Sequence, residues 1–125
     1  MAVPILRQGK HLIASAQAAL SDEDWRQLQD DLVRKVGMVR ATGVILDVTA
    51  LDVLDSYATR TLRQIAQATR LRGAHTVVVG IQPDVAFAMV QLGLTSRLDG
   101  IWTALDLEDG MRVLAALENG SGRAG

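Results

Sequence analysis

The sequence predicts an α/β sandwich in which helices pack on a mixed β-sheet. Two nearly continuous apolar runs, at residues 44–48 and 75–80, have the composition of strands buried on both faces. Segments with helical spacing alternate with these runs, and the chain opens with two short apolar segments around a glycine turn. This order of segments predicts a single domain with an N-terminal hairpin, about four to five strands and about four helices.

The first part of the chain supplies the hairpin and the first helix. Two short apolar strands flank a turn centred on Gly9. Ser21 and Asp24 have the form of a capping box, and we expect Gly37 to end the helix that begins there. The inward stripe of this helix follows steps of three and four residues: Trp25, Leu28, Leu32 and Val36.

A loop and a long helix follow the first buried strand. Residues 49–55 read as an acidic loop with apolar anchors. The helix is predicted from about Ser56 to Arg72, and Gly73 ends it. Its inward stripe consists of Ala58, Leu62, Ile65, Ala66 and Thr69.

The alternation then repeats towards the C-terminus. Pro83 suits the start of a helix over residues 84–92, which Gly93 ends. Residues 101–103 are predicted to be a short edge strand, and Asp106 to cap the last helix. That helix has the apolar positions Leu107, Met111, Leu114 and Leu117.

Composition excludes several classes of function. The domain is expected over residues 1–117, with a disordered polar tail at 118–125. There is no cysteine, and the only histidines are His11 and His75, so we expect no metal site and no cofactor. A net charge of −1 and scarce aromatics give no attraction to nucleic acid or to a membrane surface. No segment reads as a signal peptide or membrane span, so the expected location is the cytoplasm.

Ser56 is the residue that the pattern singles out for chemistry. It lies in the first turn, or at the N-cap, of the long helix, where unpaired backbone N–H groups favour an added phosphate. Arg60 and Arg63 follow one and two turns later, where they could pair with a phosphoryl group. Asp52 and Asp55 precede Ser56, so the local charge changes sign there. An Asp-Ser pair is also an ordinary helix cap, and this reading is compatible with a phosphorylation site.

Three segments resemble STAS domains of the anti-sigma-factor antagonists. Residues 46–56, Leu-Asp-Val-Thr-Ala-Leu-Asp-Val-Leu-Asp-Ser, resemble the phosphorylation segment of that family. Residues 77–83 with Leu92-Gly93-Leu94 resemble the following stretch of its stressosome members, and residues 103–111 resemble its C-terminal strand-to-helix segment. The likeness spans about residues 3–117. Within the family, the chain is similar to the small scaffold of the RsbS type.

This resemblance implies a partner-switching role without catalysis. A GHKL-type serine/threonine kinase would dock on the unphosphorylated scaffold, phosphorylate Ser56 and leave, and a phosphatase would reset the site. Longer STAS paralogues with a sensor domain would co-assemble with it into a homo- and hetero-oligomer. Asp52, Asp55, Ser56, Arg60 and Arg63 are the expected kinase contacts, with Gln82 as an exposed contact from the neighbouring loop.

Other readings are weaker. Thr59 and Ser21 are minor candidates for phosphorylation, although a helix-facing hydroxyl and a cap respectively explain them as well. A receiver domain would need an early acidic cluster and a late lysine, and a small enzyme would need a phosphate loop or nucleophile elbow, which the sequence lacks. The alternative that shares Ser56 is a simple monomeric antagonist that binds one anti-sigma kinase.

Overall fold

A five-stranded mixed sheet with helices on both faces forms the domain. The computed structural model describes residues 3–86 and 101–122. The strands are β1 (Ile5–Gln8), β2 (His11–Ser15), β3 (Gly43–Asp47), β4 (His75–Val79) and β5 (Ile101–Ala104). The helices are α1 (Asp22–Val39), α2 (Ser56–Leu71), the helical residues 83–86, which we label α3, and α4 (Leu107–Gly122).

The strands lie in the sheet in chain order, β1-β2-β3-β4-β5. β1 and β2 form the antiparallel hairpin, and the remaining pairs are parallel. His11, Gly43 and His75 are in register, so β2, β3 and β4 begin at one edge of the sheet and end at the opposite edge. The predicted α/β class, mixed sheet and N-terminal hairpin are confirmed.

The two faces of the sheet are covered by different helices. Alternate strand residues point to opposite faces, so each buried strand contributes to two cores. The larger core packs α1 and α2 against one face through Leu12, Ala14, Val44, Leu46 and Val78. The smaller core packs α4 against the other face and contains Ile13, Ile45, Val77, Val79 and Leu114.

Helix α1 begins as the sequence predicts but ends later. Its predicted stripe is buried, and its capping box is present. The predicted stop at Gly37 is wrong, because the helix continues to Val39 and ends where Arg40 adopts the left-handed conformation, with φ of 54°. A Cβ at Gly37 would lie 2.9 Å from Nη1 of Arg72, the flexible end of that side chain, so Gly37 faces the residue that follows α2.

The C-terminal helix is longer than its pattern suggests. Asp106 caps it, since Oδ1 accepts a hydrogen bond of 2.8 Å from the backbone N–H of Asp109. The structure differs from the expected disordered tail in that α4 continues through residues 118–122. Glu118 explains part of the extension: its Oε1 lies 2.7 Å from Nε2 of His11 and accepts a hydrogen bond of 2.9 Å from Thr42 Oγ1.

One predicted helix is described only at its start. Residues 83–86 are helical, as the proline there predicts. The rest of the predicted segment 84–92, and its stop at Gly93, lie outside the described residues. Within residues 3–86 and 101–122, no helix is long and apolar enough to cross a bilayer.

Candidate functional site

The candidate site lies where β3 ends and α2 begins. The loop between them is held to the domain by two leucines, Leu51 and Leu54, each only 3% exposed. The backbone N–H of Val48 also donates to Val79 O on the next strand, at 3.0 Å. Between the two leucines, Asp52 and Val53 project into solvent, and Val53 is 73% exposed. The loop is therefore fixed at both ends and presents its middle outwards.

Asp55, and not Ser56, caps α2. Its backbone is extended, with φ of −80° and ψ of −176°, and its Oδ1 accepts a hydrogen bond of 2.8 Å from the N–H of Ala58. Ser56 is the first residue of the helix, and its side chain is exposed. Its hydroxyl has no hydrogen-bond partner among the described residues. Capping therefore leaves the Ser56 hydroxyl available for modification.

The two minor candidates have local structural roles. Thr59 is 3% exposed, and its Oγ1 donates a hydrogen bond of 3.0 Å to the backbone oxygen of Asp55. Ser21 is exposed, but its Oγ accepts a hydrogen bond of 3.1 Å from Asp24 N, and its own N–H donates to Asp24 Oδ2 at 3.1 Å. Both hydroxyls are engaged, whereas the hydroxyl of Ser56 has no hydrogen-bond partner in the part of the chain that the structure describes.

The charged candidates around Ser56 are exposed. Arg60 and Arg63 lie four and seven residues beyond Ser56 on α2, so the three side chains share one face of the helix. Neither arginine forms an ion pair with a described residue. Asp52 precedes Ser56 in the sequence and lies on the loop before the helix. A group added to Ser56 would thus stand between an acidic loop and a basic helix face.

Gln82 has a role that sequence reasoning missed. We expected an exposed contact residue, but its side chain is half-buried and its Nε2 donates a hydrogen bond of 2.7 Å to the backbone oxygen of Thr49. Thr49 is itself held by Asp47, whose Oδ1 accepts from Thr49 N at 2.9 Å and from Thr49 Oγ1 at 2.6 Å. Gln82 therefore ties the loop after β4 to the loop that carries Ser56.

Gly80 completes this junction of loops. Its φ is 82°, and a Cβ there would overlap Oγ1 of Thr49. The Asp-x-Thr spacing of residues 47–49 was the available sequence signal, since an aspartate often bonds the backbone two residues on. Among the described residues there is no group of His, Asp and Glu side chains that could hold a metal ion.

Comparison with known proteins places this geometry in a family. The family model for the STAS domain matches residues 2–110, so the chain belongs to the STAS family. Among solved structures it resembles a serine-to-glutamate variant of RsbS from Moorella thermoacetica, with 30% identity and a TM-score of 0.79 over 94% of this chain and 97% of that one. The predicted resemblance to the RsbS-type stressosome scaffold is confirmed.

Two further relatives match most of this chain. A chain in the solved molecular architecture of the stressosome, a signal integration and transduction hub, has 31% identity and a TM-score of 0.72 over 92% of this chain and 98% of that chain. The RsbT co-antagonist protein RsbRA of Bacillus subtilis (strain 168) is 29% identical over 98 residues, which is 72% of this chain. The chain spans only 36% of the length of RsbRA.

Proposed function

We propose that this chain is a non-catalytic, phosphorylatable scaffold of a stressosome-type assembly in the cytoplasm. In this proposal the scaffold sequesters a GHKL-type serine/threonine kinase and releases it when Ser56 is phosphorylated. The kinase performs the phosphoryl transfer, and a phosphatase resets the serine. The scaffold assembles with copies of itself and with longer STAS co-antagonists of the RsbRA kind.

The observation that carries the proposal is the free hydroxyl of Ser56 at the start of α2. Asp55 satisfies the helix cap, so phosphorylation of Ser56 would leave the Asp55–Ala58 hydrogen bond of 2.8 Å intact. Phosphate oxygens at the first helical position meet the positive end of the helix dipole and its unpaired N–H groups. The site can therefore carry a phosphate without unfolding the helix.

Kinase release follows from the charge that phosphorylation adds. A phosphoserine carries about −1.5 to −2 charges. Inside a docked interface it would repel the carboxylates of Asp52 and Asp55, and its own oxygens would be poorly solvated. The guanidinium groups of Arg60 and Arg63 are free to draw the phosphate towards the helix. Any kinase contact that depends on these arginines would then be lost. A change of about 3 kcal/mol lowers kinase affinity more than a hundredfold.

The comparisons support the scaffold role within the STAS family. The likeness to RsbS covers 94% of this chain and 97% of the RsbS chain. The relative in the stressosome structure is matched over 98% of its length. RsbRA is named as an RsbT co-antagonist, which supports a partner of that type for this chain.

Mass spectrometry tests the central residue. The chain is incubated with a purified GHKL-type kinase and ATP, alongside Ser56→Ala, and analysed intact and by tandem fragmentation. We expect one phosphate at Ser56 and none in the variant. Thr59→Ala and Ser21→Ala are the matched controls and should accept phosphate as the unmodified chain does. Phosphate only at Thr59 or Ser21, or none at all, would contradict the proposal.

The alternative function, a simple monomeric antagonist, uses the same Ser56 and differs from the scaffold in that it does not assemble. Native mass spectrometry of the chain with a longer STAS co-antagonist distinguishes the two functions. The scaffold proposal predicts a complex that contains several copies of both proteins. A chain that binds kinase one to one, and ignores the co-antagonist, would instead be the simple antagonist.

A further inference from the structure

Three loops lie next to one another at the edge of the sheet where β3, β4 and β5 end. Asp47 pairs with Val79, and Val79 pairs with Ala104, so the three strands end side by side. The loop after β3 leads to Ser56, and the short loop after β5 carries Leu105. A protein that acts on the Ser56 hydroxyl therefore approaches this edge of the sheet and meets more than one loop.

Hydrogen bonds join these three loops to one another. The N–H of Gly80, just after β4, donates to Ala104 O at 3.3 Å and so links the second loop to the end of β5. Nε2 of Gln82, farther along the second loop, donates to Thr49 O at 2.7 Å and links it to the loop after β3. The three loops therefore form one surface with a fixed arrangement.

Two large apolar side chains project from this surface, and we call them the apolar pair. Val53 is 73% exposed, and Leu105 is 84% exposed. The backbone beneath each is held in place. Leu51 and Leu54, on either side of Val53, are each 3% exposed, and the N–H of Leu105 donates to Asp109 Oδ2 at 3.2 Å. Side chains on such an ordered backbone lose little conformational freedom when a partner binds, so they favour affinity.

The apolar pair and Ser56 fit within the area that one protein partner covers. An ordinary interface covers about 800 Å² of each partner, which corresponds to a disc with a radius of about 16 Å. Neighbouring strands lie about 4.8 Å apart, and β4 lies between β3 and β5, so the ends of β3 and β5 are separated by about 10 Å. A kinase seated over Ser56 therefore also reaches the loop that carries Leu105.

We propose that the apolar pair anchors the kinase on the scaffold. Val53 and Leu105 are buried against apolar surface of the kinase, while Ser56 faces its phosphoryl donor. Burial of these side chains supplies affinity that does not depend on the charge at Ser56. Phosphorylation then releases the kinase by adding a repulsion that exceeds this affinity. The inference rests on the proposed function, and it adds to it a contact on the loop between β5 and α4.

Calorimetric binding of the purified GHKL-type kinase tests the contact, with Ser56→Ala as the background so that no phosphate enters. Adding Leu105→Ser or Val53→Ser should each weaken binding about tenfold, because each removes an apolar side chain from the contact. Leu105→Met keeps the apolar volume and should bind within about twofold of the background. Leu71→Ser is the matched control. Leu71 is an 89% exposed leucine at the end of α2, away from the edge where that helix starts, so its loss should not alter the affinity.

Phosphorylation kinetics with Ser56 intact give a second readout. Initial rates at increasing scaffold concentration should show that Leu105→Ser raises KM about tenfold and leaves kcat within about twofold, because Leu105 binds the kinase and does not take part in phosphoryl transfer. A fall in kcat without a rise in KM would contradict an anchoring role. Thermal melts of each variant verify that it is folded.

The outcomes separate this inference from the proposed function. If Ser56 is phosphorylated but Leu105→Ser binds the kinase as the background does, the proposed function stands and the inference is wrong. An equal loss from Leu71→Ser, or no binding to the Ser56→Ala chain, would also overturn the inference. If Leu105→Ser selectively loses binding while the unmodified chain accepts no phosphate, the anchor is supported and the Ser56 switch is contradicted.

Discussion

Asp55 and Ser56 divide two tasks at the start of α2. The carboxylate of Asp55 accepts the N–H of Ala58, whereas the hydroxyl of Ser56 is exposed. Replacing Asp55 would therefore weaken the helix by about 1 kcal/mol as well as remove a charge near the phosphate. Asp52 makes no hydrogen bond or ion pair with a residue that the structure describes, so it is the residue that isolates charge repulsion.

The pair also shows how far sequence reasoning reaches at the residue scale. The loop with its apolar anchors and the start of the helix near Ser56 were predictable, because caps and apolar anchors follow local rules. The role of Gln82 was not, because its partner Thr49 is 33 residues away in sequence and is brought near only by the pairing of β3 with β4.

Gly80 provides a prediction about the junction of loops. Gly80→Ala should lower the free energy of unfolding by more than Gly73→Ala. Both glycines have positive φ, of 82° and 92°, so each alanine should cost roughly 1–2 kcal/mol in backbone strain. Only the Cβ at Gly80 overlaps Thr49, while the space around Gly73 is open. Urea unfolding of both variants gives the comparison, and equal losses would show that the contact with Thr49 is unimportant.

At the scale of elements, the predictability of the fold depends on whether a boundary is set locally. The stripes of α1 and α2 are buried as their spacing predicts. The end of α1 was predicted wrongly because the helix continues past Gly37 and stops where Arg40 adopts the left-handed conformation. The extent of α4 was not predictable because it involves a partner distant in sequence: Glu118 binds His11, 107 residues away.

Helix α4 is anchored at both ends of its contact with the sheet. Near its start, a Cβ at Gly110 would lie 2.7 Å from Val79 Cγ1, so the helix approaches the sheet closely there. Near its end, Glu118 binds His11 and Thr42. Burial acts to raise the pKa of Glu118, but the hydrogen bonds from His11 and Thr42 outweigh it and hold that pKa below its ordinary value.

His75, beside this anchor, makes the stability of the domain depend on pH. Burial first, and then the charge of Arg70, lower the pKa of His75 below its ordinary value of 6.5, although Glu118 opposes the shift. The unfolded chain therefore binds the proton at a higher pH than the folded one. The free energy of unfolding should fall as the pH drops below about 6.5.

A single variant measures this contribution. When the pH drops from about 7.5 to about 5.5, the free energy of unfolding of His75→Gln should fall by less than that of the unmodified chain. This pH window stays above the range in which carboxylates titrate. Urea unfolding at both pH values gives the two differences. If the unmodified chain and the variant lose stability equally, His75 does not titrate differently in the folded state.

At the scale of the whole molecule, the position of the loop that carries Ser56 follows from the topology. β2, β3 and β4 are parallel and begin at one edge of the sheet. A helix that follows one of these strands therefore begins at the opposite edge, where the loop that carries Ser56 also lies. The side of the sheet that α4 covers could not be predicted, because an amphipathic stripe specifies that a helix packs and not which face receives it.

The acidic loop before Ser56 leads to a prediction about kinase release. Ser56→Glu should weaken binding of the GHKL-type kinase about tenfold, which corresponds to about 1.4 kcal/mol, and the phosphorylated chain should lose more than a hundredfold because a phosphate carries up to about twice the charge. Asp52→Asn in the Ser56→Glu background should recover part of the loss, since one repelling carboxylate is gone. Ser56→Gln, of similar size without charge, is the control and should bind nearly as the unmodified chain does. Calorimetric titration at low and high salt measures all five affinities, that of the unmodified chain included, and the difference between Glu and Gln should shrink as salt screens the charges. A Gln variant that binds as weakly as Glu would show that steric fit at Ser56, and not charge beside the acidic loop, releases the kinase.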